Sequence, residues 1–234
     1  MSRPTALPTE RPTLSPVKTD NLTDRVFEQI RSAITTKVFP PGARLTEAKL
    51  AEDLNVSKTP VREAFVRLRE IGLIEPDGRR GGRVVQPSRA TIAEMYEVRE
   101  ALEVQAALLA AERAGAAAKA TIADAAARSR AGARTDDRNA FAAADIAFHE
   151  AIARSTQNDR LEVLVRNSLD LIAAVRRRDF EHVDASRACA DAHVAIADAI
   201  ALGDGPAAAE HMRAHVRHVR DMVLAQIPPT EPRT

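Results

Sequence analysis

Apolar residues return every fourth position early in this chain, at Leu22, Val26, Ile30 and Ile34. That period marks one face of a helix, and Pro40, Pro41 and Gly42 stop it. The segment TEAKLAEDL predicts a short second helix, with Thr46 as its cap and Leu50 and Leu54 facing inward. Asn55 suits the left-handed backbone of a tight turn. A third helix is expected within LNVSKTPVREAFVRLREIGLI (54–74), where Val61, Phe65, Leu68 and Ile71 form the inward stripe. The next segment, EPDGRRGGRVVQP, reads as a two-stranded hairpin, with turn chemistry at Asp77-Gly78 and Gly81-Gly82 and an extended end at Val84-Val85. Behind Pro87 the pattern changes. No proline occurs until Pro206, and the stretch is rich in alanine, as a helical bundle is. Six helices are expected, near 89–114, 119–132, 136–156, 158–179, 184–203 and 205–226. Gly115, Gly132, Asn158 and Gly203-Asp204-Gly205 supply the breaks.

The pattern predicts a mainly α fold: an N-terminal winged helix-turn-helix over 18–87 and a C-terminal all-α bundle over 88–227. Four prolines in MSRPTALPTERPTLSP make residues 1–17 a disordered arm and not a signal peptide, and 228–234 form a tail. Hydrophobic residues make up 45% of the 234, and tryptophan is absent, so the core is built from Leu, Ile, Val and Ala. Cys189 stands alone, which excludes an internal disulfide and a Cys-rich zinc site and suits a reducing cytoplasm. No apolar run reaches the ~18 residues of a membrane span. Residues 17–87 hold 13 Lys and Arg against 10 Asp and Glu, whereas 88–234 hold 19 against 22. The front is the half suited to a polyanion.

Pro60 sharpens this reading. The first N–H groups of a helix have no intrahelical partner, so a proline there breaks no bond. It marks the start of the third helix, at its first position after a Thr59 cap or its third after a Ser57 cap. Ser57, Lys58, Thr59 and Arg62 then cluster at the positive end of the helix dipole, where recognition helices meet phosphates and base edges. The bland alternative is an amphipathic helix with solvated charges, which Arg67, Arg69 and Glu70 are expected to be. Arg79, Arg80 and Arg83 at the hairpin tip add a second basic element close by. The continuous run PPGARLTEAKLAEDLNVSKTPVREAFVRLREIGLIEPDGRRGGRVV resembles the DNA-binding domain of the GntR superfamily of bacterial transcription regulators. The resemblance implies that Lys49, Lys58 and Arg62 contact DNA. It also implies that Ser57, Thr59 and Arg80 touch backbone phosphates and that Gly81-Gly82 brings the wing tip to the minor groove. Lys58 stands where family members often carry arginine, and lysine lacks the planar fork for bidentate guanine reading.

In the back half, Asp145 and His149 lie at i,i+4 on one helix face. His193 sits on a later helix, and His211, His215 and His218 on the last. A bundle core builds metal sites from such elements, although spacing alone leaves each histidine free to be a surface or core residue. The segments EVREALEVQAALLAA, ADIAFHEAIARSTQN and AHVAIADAIALGDGPAAAEHMRAHV resemble the FCD ligand-binding domain of the FadR-type branch of GntR regulators. That resemblance implies a divalent metal held by Asp145, His149, His193 and His215. Zinc is the first choice among Zn²⁺, Ni²⁺, Fe²⁺ and Mn²⁺, and His211 and His218 lie outside the pattern. It further implies a small organic acid as effector, with Arg99 reaching its carboxylate, unless Arg99 is spent on an i,i+4 ion pair with Glu103. Asn167 is a further pocket candidate. Alanine-rich surfaces (Ala106, Ala107, Ala110, Ala111, Ala125, Ala126) are expected to pack in a homodimer that reads a pseudopalindromic operator. The function implied is a cytoplasmic, DNA-binding transcriptional repressor, nucleoid-associated when bound, and not an enzyme. A direct metal sensor and a metalloenzyme are the rival readings.

Overall fold

The computed structural model describes residues 22–78, 81–86, 88–135, 137–175 and 183–227. The front half comprises α1 (Leu22–Thr35), β1 (Arg44–Thr46), α2 (Glu47–Asp53), α3 (Lys58–Glu70), β2 (Ile74–Pro76) and β3 (Gly81–Val84). Behind it come α4 (Arg89–Arg113), α5 (Ala116–Thr135), α6 (Arg138–Ser155), α7 (Asp159–Val175), α8 (Val183–Leu202) and α9 (Gly205–Ala225). This is a winged helix-turn-helix followed by an all-helical bundle. Arg79, Arg80, Pro87, the arm 1–17 and the tail 228–234 lie outside the described residues.

Local chemistry sets the helix ends. Thr46 accepts from the backbone N–H of Lys49, Ser88 from Thr91, Asp137 from Asn139 and Ala140, and Asp204 from Ala207, so each satisfies donors that a helix start leaves open. Asn55 adopts a positive φ of 52° between α2 and α3, as a tight turn there requires. Ser57 caps α3, so Pro60 sits at its third position, where its missing N–H costs nothing.

The sheet has the order β1-β3-β2, all antiparallel, with Leu45 opposite Gly82 and Ile74 opposite Val84. The hairpin was expected; β1 was not. Gly81 is buried, and a Cβ on it would lie 2.5 Å from the carbonyl oxygen of Asp77 and 3.1 Å from that of Leu45. Only glycine lets the three strands close.

Two apolar cores form. The front one gathers Val26, Phe27, Ile30, Ile34, Val61, Phe65, Leu68, Leu73 and Ile74. Leu22, expected in its stripe, is 42% exposed at the helix start, and Phe27 takes the inward place. The second core lies between α4, α5, α6, α7, α8 and α9. Ala106, Ala107, Ala110, Ala111, Ala125 and Ala126 are all buried in it, so the alanine surfaces assigned to self-association are consumed inside one chain. Gly132 does not end α5, which runs on to Thr135. It lets α6 approach: a Cβ there would lie 2.7 Å from the Phe141 backbone N. The cores meet at α7. Ala174 is fully buried in the front core, Leu171 packs against both, and Asp170 accepts from Arg31 of α1 at 2.5 Å.

Candidate metal centre and nucleic-acid interface

The start of α3 and the sheet flank a cleft of about 380 Å³ bordered by Arg44, Thr46, Lys58 and Gly81. Ser57, Lys58, Thr59 and Arg62 are exposed beside one another at the N-terminal turn of α3. Ser57 makes no side-chain cap bond, so its hydroxyl is not spent on the helix. The Arg62 guanidinium is anchored on Glu47, which is buried, with Nη2–Oε2 at 3.1 Å and Nε–Oε2 at 3.2 Å. Lys49 lies on the α2 surface with Asp53 at 2.8 Å and Glu52 at 3.6 Å. Its bound carboxylates raise its pKa, so it stays charged. Arg67 and Arg69 are not the solvated charges expected of them. Arg67 stacks on the Phe27 ring at 3.9 Å and pairs with Asp24, while Arg69 donates to the Gly81 carbonyl at 2.8 Å. They fasten α3 to α1 and to the wing. Arg83, expected at the basic tip, donates to the Gly42 carbonyl and pairs with Asp77 at 3.0 Å. Gly81, buried in β3, gives the wing its close backbone packing and borders the cleft with little exposed area.

In the bundle, α6 supplies Asp145 and His149, α8 supplies His193 and α9 supplies His215. One donor atom from each lies within 4.8 Å of every other. His149, His193 and His215 are each at most 2% exposed. His193 Nε2 stands 3.3 Å from His215 Nε2 and 3.5 Å from Asp145 Oδ1, and His149 Nε2 is 3.9 Å from that same oxygen. Donors held at about 2 Å from one ion lie roughly 3–3.5 Å from each other. The spacing, and the set of three imidazoles and a carboxylate, fit a divalent cation. His211 and His218 are exposed, outside the cluster.

Burial drives the His193 pKa down to about 3, against the pull of Asp145. Ser129 Oγ of α5 lies 3.0 Å from His193 Nδ1, and Phe148 stacks on the His193 ring with centroids 4.3 Å apart. Ring orientation is thus fixed from two sides. Arg99 is 1% exposed on α4. Its Nε donates to Glu103 Oε1, and its Nη2 lies 3.1 Å from His149 Nε2. Burial alone would lower its pKa; Glu103 outweighs that and raises it. Glu103 faces the reverse balance. Burial pushes its carboxyl up, yet Arg99 and His149 together bring it down to about 2. Both readings of Arg99 meet here, because it makes the ion pair with Glu103 and also faces the cluster. Tyr96, one turn earlier, is 1% exposed, with no hydrogen-bond partner for its hydroxyl among the described residues. Asn167 is half-buried on α7, with no hydrogen bond or ion pair to the cluster among the described residues.

Sequence reasoning missed Ser129 and Tyr96 and took Glu103 only as an ion-pair partner. The signal was available for α4. Ile92, Tyr96, Arg99, Glu103 and Ala106 recur at alternating steps of four and three, so two charged residues occupy core positions of a helix.

Comparison with known proteins decides the family. Residues 94–218 match the FCD domain, and residues 22–84 match the bacterial regulatory proteins of the gntR family. The chain belongs to the GntR family of bacterial regulators, with an FCD domain behind the winged helix. It is 34% identical over 198 residues to the "Probable D-xylose utilization operon transcriptional repressor" of Paenarthrobacter nicotinovorans, covering 81% of this chain and 84% of that one. It is 30% identical over 204 residues to the HTH-type transcriptional regulator LutR of Bacillus subtilis (strain 168), covering 78% of this chain and 92% of that one. The solved structure of E. coli McbR/YncC shares the fold at a TM-score of 0.77 and 19% identity, covering 88% of this chain and 98% of that one. A GntR regulator binds DNA and controls transcription, and the relatives are regulators, not enzymes, which removes the metalloenzyme reading. No helix among the described residues is long and apolar enough to cross a membrane.

Proposed function

We propose that this GntR regulator is a repressor whose grip on its operator is governed by a small carboxylate bound at a divalent metal in the bundle. One observation carries the reading: three buried imidazoles and a half-buried carboxylate from α6, α8 and α9 converge beside a buried guanidinium. Asp145, His149, His193 and His215 would hold the ion, which supplies a positive centre with open coordination positions. Arg99 faces the same space and offers N–H donors to a carboxylate; Tyr96 brings a buried hydroxyl, and Asn167 remains a candidate on α7. Zinc suits the donor set, as do nickel, iron and manganese. The repressor named among the relatives supports repression as the sign of control.

On the DNA side, the front domain (18–87) would set the α3 N-terminus in the major groove. Lys58, Arg62, Ser57 and Thr59 are assigned to bases and phosphates there, Lys49 to a flanking phosphate, and Arg80 with the Gly81 region to the wing's approach. Arg62 is held in place by Glu47, which spares it some of the ordering cost of binding. A homodimer would present two such helices to a pseudopalindromic operator. Its face is sought on α4 and α7, two packed helices that leave Val98, Val163 and Leu164 exposed.

Control requires only that the effector bind the two arrangements of the heads unequally. A preference of ~3 kcal/mol for the DNA-incompetent arrangement lowers operator affinity by at most about 150-fold. The test is operator shift by the purified protein across a panel of organic acids, alongside elemental analysis. An acid that releases the metal-loaded protein from DNA, and fails after chelation, supports the reading. Release controlled by metal alone, with no acid effective, replaces it with direct metal sensing.

A further inference from the structure

We infer that Glu103 is a positioning residue for the metal centre: its carboxylate fixes the ring of His149 and neutralises Arg99 beside the cluster. The inference rests on the reading of the quartet as a metal site.

Two neighbours decide how His149 carries its proton. A guanidinium has donors and no acceptor. With Arg99 Nη2 3.1 Å away, His149 Nε2 must present its lone pair. The proton of the neutral ring therefore sits on Nδ1, and Nδ1 meets Glu103 Oε2. The two atoms are in contact and neither has a hydrogen-bond partner among the described residues, so the bond between them is part of the inference. The Nε2 lone pair is the one a cation would take, in place of the Arg99 N–H. A carboxylate on the far nitrogen of a metal-binding histidine fixes the tautomer and raises the basicity of the ligand.

The second role is charge balance. Arg99 is fully charged and buried, and its guanidinium touches one of the four proposed ligands. A divalent cation in the quartet would be repelled by it in surroundings that screen poorly. Glu103 Oε1 accepts from Arg99 Nε, so one carboxylate spans both partners, one oxygen to each. Glu103 is 2% exposed, and water does not substitute for it.

Zinc affinity, read by competition with a chromophoric chelator, tests this on four proteins: wild type, Arg99→Met, Glu103→Gln and the double variant. Removing the guanidinium alone should leave zinc binding equal or tighter. Glu103→Gln should weaken it about 10- to 100-fold or more, since it loses the carboxylate on His149 and exposes the site to Arg99. The double variant should fall between, weaker than Arg99→Met by about tenfold or more. Should Glu103→Gln fail to fold with Arg99 left unpaired, the comparison of Arg99→Met with the double variant still isolates the carboxylate on His149. Nitrogen-15 NMR of the zinc-free wild type should show the Nδ1–H tautomer of His149. Equal zinc affinity in Arg99→Met and the double variant, or the Nε2–H tautomer, overturns the inference. A wild type that takes up no zinc removes the metal reading itself, an outcome distinct from zinc uptake that ignores Glu103.

Discussion

Replacing Gly132 with alanine sets two physical effects against each other. In an open helix the exchange is favourable by about 1 kcal/mol, because glycine surrenders more backbone freedom on folding. In α5 the added Cβ would lie 2.7 Å from the backbone N of Phe141 and 2.9 Å from its Cα. Those are main-chain atoms of α6, so no rotamer change relieves the contact and the helices must part. Overpacking of this kind costs roughly 1–3 kcal/mol, and separation also loosens Ile122, Ala126 and Phe148 in the core. The clash wins. The expected net loss is up to about 2 kcal/mol, a fall in Tm of up to roughly 4–8 °C for a chain of this size. Because α6 carries Asp145 and His149, zinc affinity should drop with it. Gly115→Ala is the steric control, since nothing lies within 4 Å of its added Cβ; its only cost is the weaker capping of α5 by alanine than by glycine, so it should lower Tm less than Gly132→Ala. Thermal unfolding followed by circular dichroism measures both. A Gly132→Ala protein as stable as its parent, or one whose loss is matched by Gly115→Ala, would refute the close-approach argument.

The Lys58→Ala, Arg62→Ala double variant should lose operator affinity by at least tenfold in gel shift and flatten the dependence on salt by about two phosphate contacts, with its fold intact. Ser129→Ala removes the hydroxyl at His193 Nδ1 and should weaken zinc binding about tenfold in chelator competition; unchanged affinity would mean that Phe148 packing alone holds the ring. The proposed homodimer predicts that Leu164→Arg on the exposed face of α7 shifts a wild-type dimer to monomer in sedimentation equilibrium; a monomeric wild type would remove the dimer, and an unaltered dimer would place the interface elsewhere.

Much of the helical architecture was legible because its ends are written locally. The last helix, expected at 205–226, runs Gly205–Ala225, with Asp204 as its cap and a proline in its first turn. Strand β1 was not legible. Three residues are too few for an alternating pattern, and Arg44–Thr46 become a strand only by pairing with Gly81, Gly82 and Arg83. Gly132 misled because glycine breaks helices locally, whereas here it serves a neighbouring helix. The alanines misled for a related reason: an alanine-rich helix has little contrast between faces, so inner and outer positions look alike. The metal quartet was named from sequence, yet its convergence is tertiary. Glu103 was named as well, as the i,i+4 partner of Arg99. What it does for His149 depends on how α4 packs against α6, which no local pattern records.

The two cores are joined in a way that bears on control. Helix α7 packs against α4, which carries Arg99, and against α6, which carries Asp145 and His149. Its C-terminal turns enter the front core through Leu171 and Ala174. Under the proposed function, a shift in spacing between α4 and α6 would pass to α1 through these packed side chains. The ion pair at this seam, Arg31 with Asp170 at 2.5 Å, feels both effects: burial raises the Asp170 carboxyl, while Asp170 raises the Arg31 guanidinium against burial. Such a pair is a poor guide to net stability, and Leu171 and Ala174 supply apolar contacts beside it. Two arrangements separated by a few kcal/mol are what a small ligand can redistribute. Under the proposed function, the bundle holds the donors, and α7 joins them to the front domain that carries α3.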